Sequence, residues 1–449
     1  MSVAPSSQDF QGSVPQGTAS PTPLALTLQD AITRGLRANL GLLTSEQSDA
    51  QTGAQKIQSL SKLLPTVNGA LQETVSQINL AALGFRNAGS FNIPLVVGPF
   101  SYSTIQAQAT VPVFNWSNWQ SYRASKERAR ASQLSLRDAR DLVVFAVGNA
   151  FLQIIASAGR VESTQAQVNT AQVLFNRATD QKRAGVIPAI DVLRAQVELQ
   201  RQQQLLVVQK NQFEKDKLTL GRVIGLSVGQ EFTVADPTPP VPLEGLNLDE
   251  ALSKAYANRS DYKAAEAQVN AAELAVKSAK AQWYPTLGAS GYYGDQGPTF
   301  GNSHGVFSVT GSLDFHIFDG GKIKSDVQQR QAELNDQKNR LANLKGQIDY
   351  DVRNALLDLK SSNEQVAVAR SNSDLAKQTL AQAQDRFAAG VADNLEVVQA
   401  QESVATASDN LINALYSNNI AKIELVRALG LAEQGIRTYF SKNPSQPQP

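Results

Sequence analysis

Side chains able to do chemistry are sparse along these 449 residues, and their spacing argues against catalysis. Cysteine is absent, which removes disulfides, thiolate metal ligands, a cysteine nucleophile and cysteine lipidation. The two histidines, His304 and His316, are isolated, and an imidazole metal site needs several converging ligands. His304 therefore reads as a solvated loop residue, and His316 as one on the polar face of a strand. Gly320-Gly321-Lys322 suggests a phosphate cradle but lacks the preceding glycine spacing and the Ser or Thr after the lysine; it reads as a break between strand and helix. No paired general acid and base and no nucleophile constellation recurs in a plausible pocket, so neither an enzyme nor a cofactor or metal is expected.

The acids that stand out belong to helix beginnings. Asp393-Asn-Leu-Glu396 fits a capping box, with Asp393 as N-cap and Glu396 returning to it, and Asp191 falls in the first turn of a helix, where the backbone dipole favours an anion. Gly185 and Gly390 lie where the preceding long helices must end, and glycine tolerates the left-handed backbone that such an ending uses.

The elements that position these residues occur twice. Leu26-Thr-Leu-Gln-Asp-Ala-Ile returns as Leu246-Asn-Leu-Asp-Glu-Ala-Leu, Leu64-Pro-Thr-Val as Tyr284-Pro-Thr-Leu, and Arg183-Ala-Gly-Val as Ala388-Ala-Gly-Val. The unit is far longer than a solenoid repeat of ~20–50 residues, so the pattern implies one duplicated half. The register between copies shortens by roughly 16 residues between Pro65 and Phe114, which places an insertion in the first copy. That insertion makes an apolar loop, Ile78 to Leu83 with Phe85, then Phe91 to Phe100, expected at an external mouth. The implied organisation is a disordered segment 1–25, a first repeat 26–226, a Pro-rich linker 227–245, a second repeat 246–431 and a polar tail 432–449.

Each repeat opens with one helical stretch, Gln29 to Leu63 or Asp249 to Trp283, stopped by Pro65 or Pro285. The period then changes to two. From Val306 to Phe318 the odd positions Phe307, Val309, Leu313, Phe315 and Ile317 are apolar and the even ones polar; Ile105 to Val113 repeats the pattern, and Thr66 to Gln77 and Thr286 to Gly294 are the partner strands. Trp116, Trp119 and Tyr122 follow a strand end, either as an interfacial aromatic belt or as packing where strand meets helix.

After Phe114 and Phe318 come about 68 residues almost without a breaker, a helix of roughly 100 Å. Val147, Ile154, Val161, Val168 and Phe175 stand seven apart with Ala150, Ser157, Thr164, Ala171 and Ala178 beside them, and the second copy matches with Val352, Leu359, Val366, Ser373 and Leu380. Large knobs beside small residues at a 3.5 repeat describe a coiled-coil seam. The returning helices run through Val192 to Leu220 and Val397 to Leu425. Returning and opening helices together match the long one in length, so two short helices can pair with it end to end.

Charged residues make up 18% of the chain and the net charge is +1. The basic cluster Arg123 to Arg140 is interrupted by Glu127 and Asp138, which argues against nucleic acid as a partner. No uninterrupted apolar run is long enough for a transmembrane helix, and the first residues lack the basic and apolar regions of a signal peptide. Four amphipathic strands, however, have the length that tilted strands need to cross a bilayer, where open edges are not tolerated. A barrel shared among identical subunits satisfies both conditions, and twelve strands leave a lumen where eight are filled by side chains. The competing reading is a structural coiled-coil protein, which leaves the four alternating strands unexplained.

The double pattern, the strand ends Val111-Pro-Val-Phe and Ile317-Phe-Asp-Gly-Gly, and the turns Ala184-Gly185-Val186 and Ala389-Gly390-Val391, followed by Asp191-Val-Leu-Arg-Ala-Gln and Glu396-Val-Val-Gln-Ala-Gln, resemble the TolC family of outer-membrane efflux proteins from about Leu26 to Leu431. The resemblance implies an α+β membrane protein: a homotrimer whose twelve-stranded β-barrel, four strands per chain, stands in outer-membrane lipid of a Gram-negative-type bacterium and continues as a coiled-coil tunnel through the periplasm. It implies a periplasmic adaptor and an inner-membrane transporter as partners, with the channel as a passive exit duct for efflux or type I secretion. It further places a periplasmic constriction at Asp191, Arg194, Glu396 and Gln399. Gln399 departs from the acidic residue found in relatives, and Arg194 is expected to meet Glu396 of a neighbouring hairpin. Adaptor-facing tips fall on Arg183, Ala184, Gly185 and Val186, and on Ala388, Ala389, Gly390 and Val391.

Overall fold

The computed structural model describes residues 9–84, 94–235, 247–389, 391, 394–433 and 435. In chain order the elements are β1 (Leu24–Leu26), α1 (Leu28–Ala38), α2 (Leu40–Ser61), β2 (Thr66–Asn79), β3 (Val96–Phe114), α3 (Trp116–Arg183), α4 (Ala189–Ile224) and β4 (Phe232–Val234). They are followed by α5 (Leu248–Asn258), α6 (Ser260–Lys280), β5 (Thr286–Thr299), β6 (Asn302–Asp314), α7 (Lys322–Ala388) and α8 (Asn394–Ala428). Two compact units result, a sheet unit of residues 50–131 and 265–340 and a helical unit of 1–49, 132–264 and 341–449.

In the sheet unit the strands lie in the order β2-β3-β5-β6, all neighbours antiparallel. Register aligns the alternation of every strand. Leu71 faces Ile105, Val67 faces Ala109, Val111 faces Ala289, Tyr293 faces Phe307 and Leu287 faces Leu313. Directly opposed residues share a face, so these side chains form one apolar surface, while Gln72, Thr104, Gln108, Ser290 and Thr310 fall on the other. An acid interrupts the apolar face at Glu73, where the opposed Ser103 hydroxyl donates to its carboxylate at 2.6 Å.

The strands differ in extent from the sequence reading. β6 runs over Asn302–Asp314, so His304 is paired with Gln296 within a strand, and Phe315, His316 and Ile317 lie beyond the strand end. The reason is the partner: β5 starts after Pro285, and Asp314 pairs with its first residue, Thr286. Asp319 then accepts from the N–H groups of Gly321 and Ile323 and starts α7. β3 extends back to Val96, so residues 96–100 of the expected apolar loop are strand; Phe85 and Phe91 lie outside the described residues.

In the helical unit, α1 opens on a reciprocal cap: the Thr27 hydroxyl accepts from the Asp30 N–H, and the Asp30 carboxylate accepts from the Thr27 N–H. The single opening helix expected from the sequence is broken at Asn39, whose ψ of 129° ends α1. Fully buried Asn39 donates to the Phe10 carbonyl at 2.8 Å and accepts from the Gly41 N–H at 3.0 Å, supplying bonds that the interrupted backbone lacks. The second stretch breaks likewise at Arg259, whose guanidinium binds Asp261 at 3.0 and 2.7 Å and Asp351 at 3.0 Å. Gly35 lets α1 approach α3, since a Cβ there would meet Val147 at 2.6 Å.

Residues expected to be disordered or irregular are in part anchored here. Phe10 is buried in the core, and β1 pairs in parallel with β4 from the expected linker, Leu24 beside Phe232. The expected tail also starts packed, with Arg140 bidentate to Glu433 at 3.0 and 2.7 Å. The main core gathers Leu26, Ile32, Leu42, Val143, Val147, Phe151, Ile154, Leu220 and Ile224. By length and composition α3 is apolar enough to cross a membrane, but half of its most apolar stretch is buried within the protein.

The seam follows the heptads. Val147, Ile154, Ser157, Thr164, Ala171 and Ala178 are buried along α3, and Val352, Leu359, Ser362, Ser373, Ala376 and Ala383 along α7. Ser157 and Ser362 satisfy their hydroxyls in the same way, donating to the carbonyls of Ile154 and Leu359.

Candidate functional site

The tips of the two helical hairpins carry the residues singled out in the sequence. At the end of α3, Gly185 has φ +74°, its N–H donates to the Lys182 carbonyl at 3.0 Å, and the Val186 N–H donates to Gln181 at 2.9 Å. This pair of bonds is a Schellman ending, which stops the helix and turns the chain toward α4. At the end of α7 the Val391 N–H donates to the Arg386 carbonyl at 3.0 Å, while Gly390 and Asp393 lie outside the described residues, and with them the N-cap of the expected capping box. Arg183, Ala184, Gly185, Val186, Ala388, Ala389 and Val391 are all exposed.

Asp191 stands in the first turn of α4 and Glu396 in the first turn of α8, as their sequence contexts suggest. Their cations differ. Asp191 pairs with Arg194 of its own helix at 3.3 Å, whereas Glu396 receives Arg386 from the last turn of α7 at 3.5 Å. The structure thus joins Asp191 to Arg194 and Glu396 to Arg386, and within this chain Arg194 does not meet Glu396. Gln399 is exposed, and its backbone carbonyl accepts from the Ser403 hydroxyl. Arg386 was missed in the sequence because its partner is ten positions away across a turn, outside the helical spacings by which ion pairs are read.

A small core holds the tips in place: Leu174 of α3 packs with Ala383 and Phe387 of α7 and Val397 and Ala400 of α8. Beside it Arg201 of α4 grips Glu198 at 2.8 and 2.9 Å and reaches Glu402 of α8 at 3.3 Å. The paired acid holds the Arg201 guanidinium above its ordinary pKa. Farther along α3, burial pushes the Asp138 carboxyl up to about 6, with the charges of Asp261 and Asp141 adding to it and those of Arg427 and Arg259 opposing.

In chain order each antiparallel strand pair, β2–β3 and β5–β6, is followed by a long helical hairpin, α3–α4 and α7–α8. The profile of the outer membrane efflux protein family matches residues 35–226 and 251–431. The chain belongs to that family. It is 24% identical over 330 residues to the toluene efflux pump outer membrane protein TtgC of Pseudomonas putida, covering 69% of this chain and 63% of that protein. The chain thus spans somewhat less than two thirds of the length of such relatives. It is 20% identical over 415 residues to the outer membrane protein TolC of Escherichia coli, covering 88% of this chain and 80% of that protein. Among solved structures, the outer membrane protein VceC of Vibrio cholerae superposes with a TM-score of 0.76 at 17% identity, over 90% of this chain and 96% of that one.

Proposed function

We propose that three copies of this chain form an exit duct through the outer membrane. The observation that carries the reading is the sheet: its order leaves β2 and β6 as outer edges, and one face presents exposed apolar side chains such as Val67, Leu71, Ile105, Phe307 and Val309. Edges of this kind are not tolerated in a bilayer, and β2 of one copy pairing with β6 of the next removes them. Twelve strands close with an open lumen lined by the polar face. Lipid then covers Phe307, Val309 and Leu313.

On this reading the helical hairpins of three copies continue the duct into the periplasm. Their tips, 183–186 and 388–391, meet a periplasmic adaptor, and an inner-membrane transporter supplies the energy and selects the cargo. Asp191, Arg194, Glu396 and Gln399 line the narrow mouth. The channel itself is passive, and no catalytic step is asked of its residues. Membership of the efflux family and the efflux-pump names of its relatives support this assignment.

The test is to extract the protein with detergent and measure its mass and its conductance in a planar bilayer. A mass of three chains together with ion current is expected. A rod soluble without detergent that carries no current would leave the structural coiled-coil reading in its place.

A further inference from the structure

The four strands of the sheet carry three carboxylates and neither lysine nor arginine. Asp314 lies on the polar face, at the end of the sheet that leads into α7. The other two lie on the apolar face. Glu73 is opposed to Ser103, and Asp295 is opposed to Ile105 on one side and Gly305 on the other. Both acids are exposed, and both stand toward the end of the sheet at which β5 turns into β6.

On every strand the apolar face changes character at nearly the same level. On β2 it passes from Val67 and Leu71 to Glu73, and on β3 from Ala107 and Ile105 to Ser103 and Ser101. On β5 it passes from Tyr293 to Asp295, and on β6 from Val309 and Phe307 to Gly305 and Ser303. The change comes one ladder step sooner on β5 and β6 than on β2 and β3, and strands tilted to a membrane meet its surface at staggered positions. Tyr293 marks the same level. A Cβ on Gly305 would meet the Tyr293 hydroxyl and Asp295 Oδ1, each at 3.7 Å, so the ring lies along the apolar face with its hydroxyl beside the acid's row. Val75 stands beyond Glu73, opposite Ser101, and gives a sharp test of the level.

We propose that the hydrocarbon of the outer leaflet ends at this level, and that the lipid headgroup layer contacts Glu73, Asp295 and the Tyr293 hydroxyl. The inference rests on the duct reading, in which lipid covers the apolar face, and adds where that cover stops. An ionised carboxylate is costly in hydrocarbon and well solvated among hydrated headgroups. The Ser103 hydroxyl gives Glu73 one donor, and water and headgroups supply the others. Tyrosine suits such a boundary because its ring is apolar and its hydroxyl can stay wet. Behind the acids the polar face carries Gln72, Thr104 and Gln296, so neither acid lends its charge to the lumen wall.

Because the chain has no cysteine, a single introduced cysteine can carry a nitroxide at a chosen position. Val67→Cys, Leu71→Cys and Val309→Cys report below the level, and Val75→Cys and Ser303→Cys above it. In phosphatidylcholine vesicles the ratio of oxygen to nickel-chelate collision rates should be at least threefold higher at each of the first three labels than at either of the last two. Glu73→Lys and Asp295→Lys should leave the fraction of chain recovered in the outer membrane within twofold of the parent, because a charge among headgroups stays solvated. The mass of each variant in detergent separates a changed environment from failed assembly. High oxygen accessibility at Val75 and Ser303, or loss of either lysine variant from the membrane, would overturn the level and leave the duct reading in place. High nickel-chelate accessibility at all five labels would overturn both, since no part of the face would then meet lipid.

Discussion

The core of the helical unit and the four-stranded sheet place their large apolar side chains in opposite ways. In the helical unit Val147, Phe151 and Ile154 are fully buried, while in the sheet unit Phe307 and Val309 are 76% and 81% exposed. All three clusters of buried hydrophobic residues found among the described residues belong to the helical unit. Both patterns are amphipathic, one with the period of a coiled coil and the other with the period of a strand. What differs is the medium each face requires. The helices supply their own apolar surroundings, whereas the sheet offers an apolar face that only an outside medium can cover, which on our reading is lipid.

The same truncation should therefore have unequal effects. Phe151→Ala opens a cavity in the main core and should cost about 3–5 kcal/mol, seen as a lower midpoint of the helical signal in circular dichroism. Phe307→Ala removes the same atoms from an exposed face and should leave that midpoint nearly unchanged. Equal losses at the two sites would break the comparison, because they would mean that Phe307 packs against protein. Conversely, Val309→Lys should disfavour assembly in the membrane by about 2–4 kcal/mol if the residue sits near mid-bilayer, read as the fraction of chain recovered in the outer-membrane fraction. Unimpaired recovery would argue that lipid does not cover this face.

The helical unit also holds a titrating acid. Asp138 is raised to about 6, mainly by burial, so between the two values the folded state holds a proton that the unfolded chain, with the ordinary carboxyl value of 3.8, has released. Its contribution to stability is therefore fully present below 3.8 and is lost as pH rises through about 6. Each pKa unit corresponds to about 1.4 kcal/mol, so the loss is on the order of 2–3 kcal/mol at most. Asp138→Asn should melt higher than the parent at pH 8 and show a smaller difference, or none, at pH 4. A difference independent of pH would remove burial of the charge as its cause.

How much of this was legible in the sequence depended on whether the signal was periodic. The heptad positions from Val147 to Ala178 and the alternation from Phe307 to Leu313 announce themselves, because burial on one face imposes a period on residue type. The break at Asn39 does not, since the helical pattern runs on across it and the decisive bonds go to Phe10, far away in the chain. Nor does the β1–β4 pair: three residues in an irregular context are too few for a period, and their partner is fixed by tertiary packing. The end of β6 was misplaced because alternation continues through Phe315 and Ile317 after the partner strand has run out. At the hairpin tips, Asp191 and Glu396 were visible as first-turn acids, while the Arg386 partner was not, because the turn between them hides which cation comes near.

That last difference sets up the smallest and most specific test. Asp191 is held by an arginine three residues along its own helix, so neutralising it also frees Arg194; Glu396 is held across the turn, so neutralising it frees Arg386. Exposed or half-exposed pairs and first-turn acids each contribute only about 0.3–1 kcal/mol, so Asp191→Asn with Glu396→Gln should barely move the melting midpoint. The effect on permeation should nonetheless be clear, because on our reading both acids line the mouth, and each substitution converts a neutralised pair into a net positive one. The double variant should shift the reversal potential in a salt gradient away from cation preference, with Asp191→Asn and Glu396→Gln each giving part of the shift. Unchanged reversal potentials with an altered melting midpoint would assign both acids to helix capping alone. A shift from Glu396→Gln but none from Asp191→Asn would place only the second hairpin at the constriction.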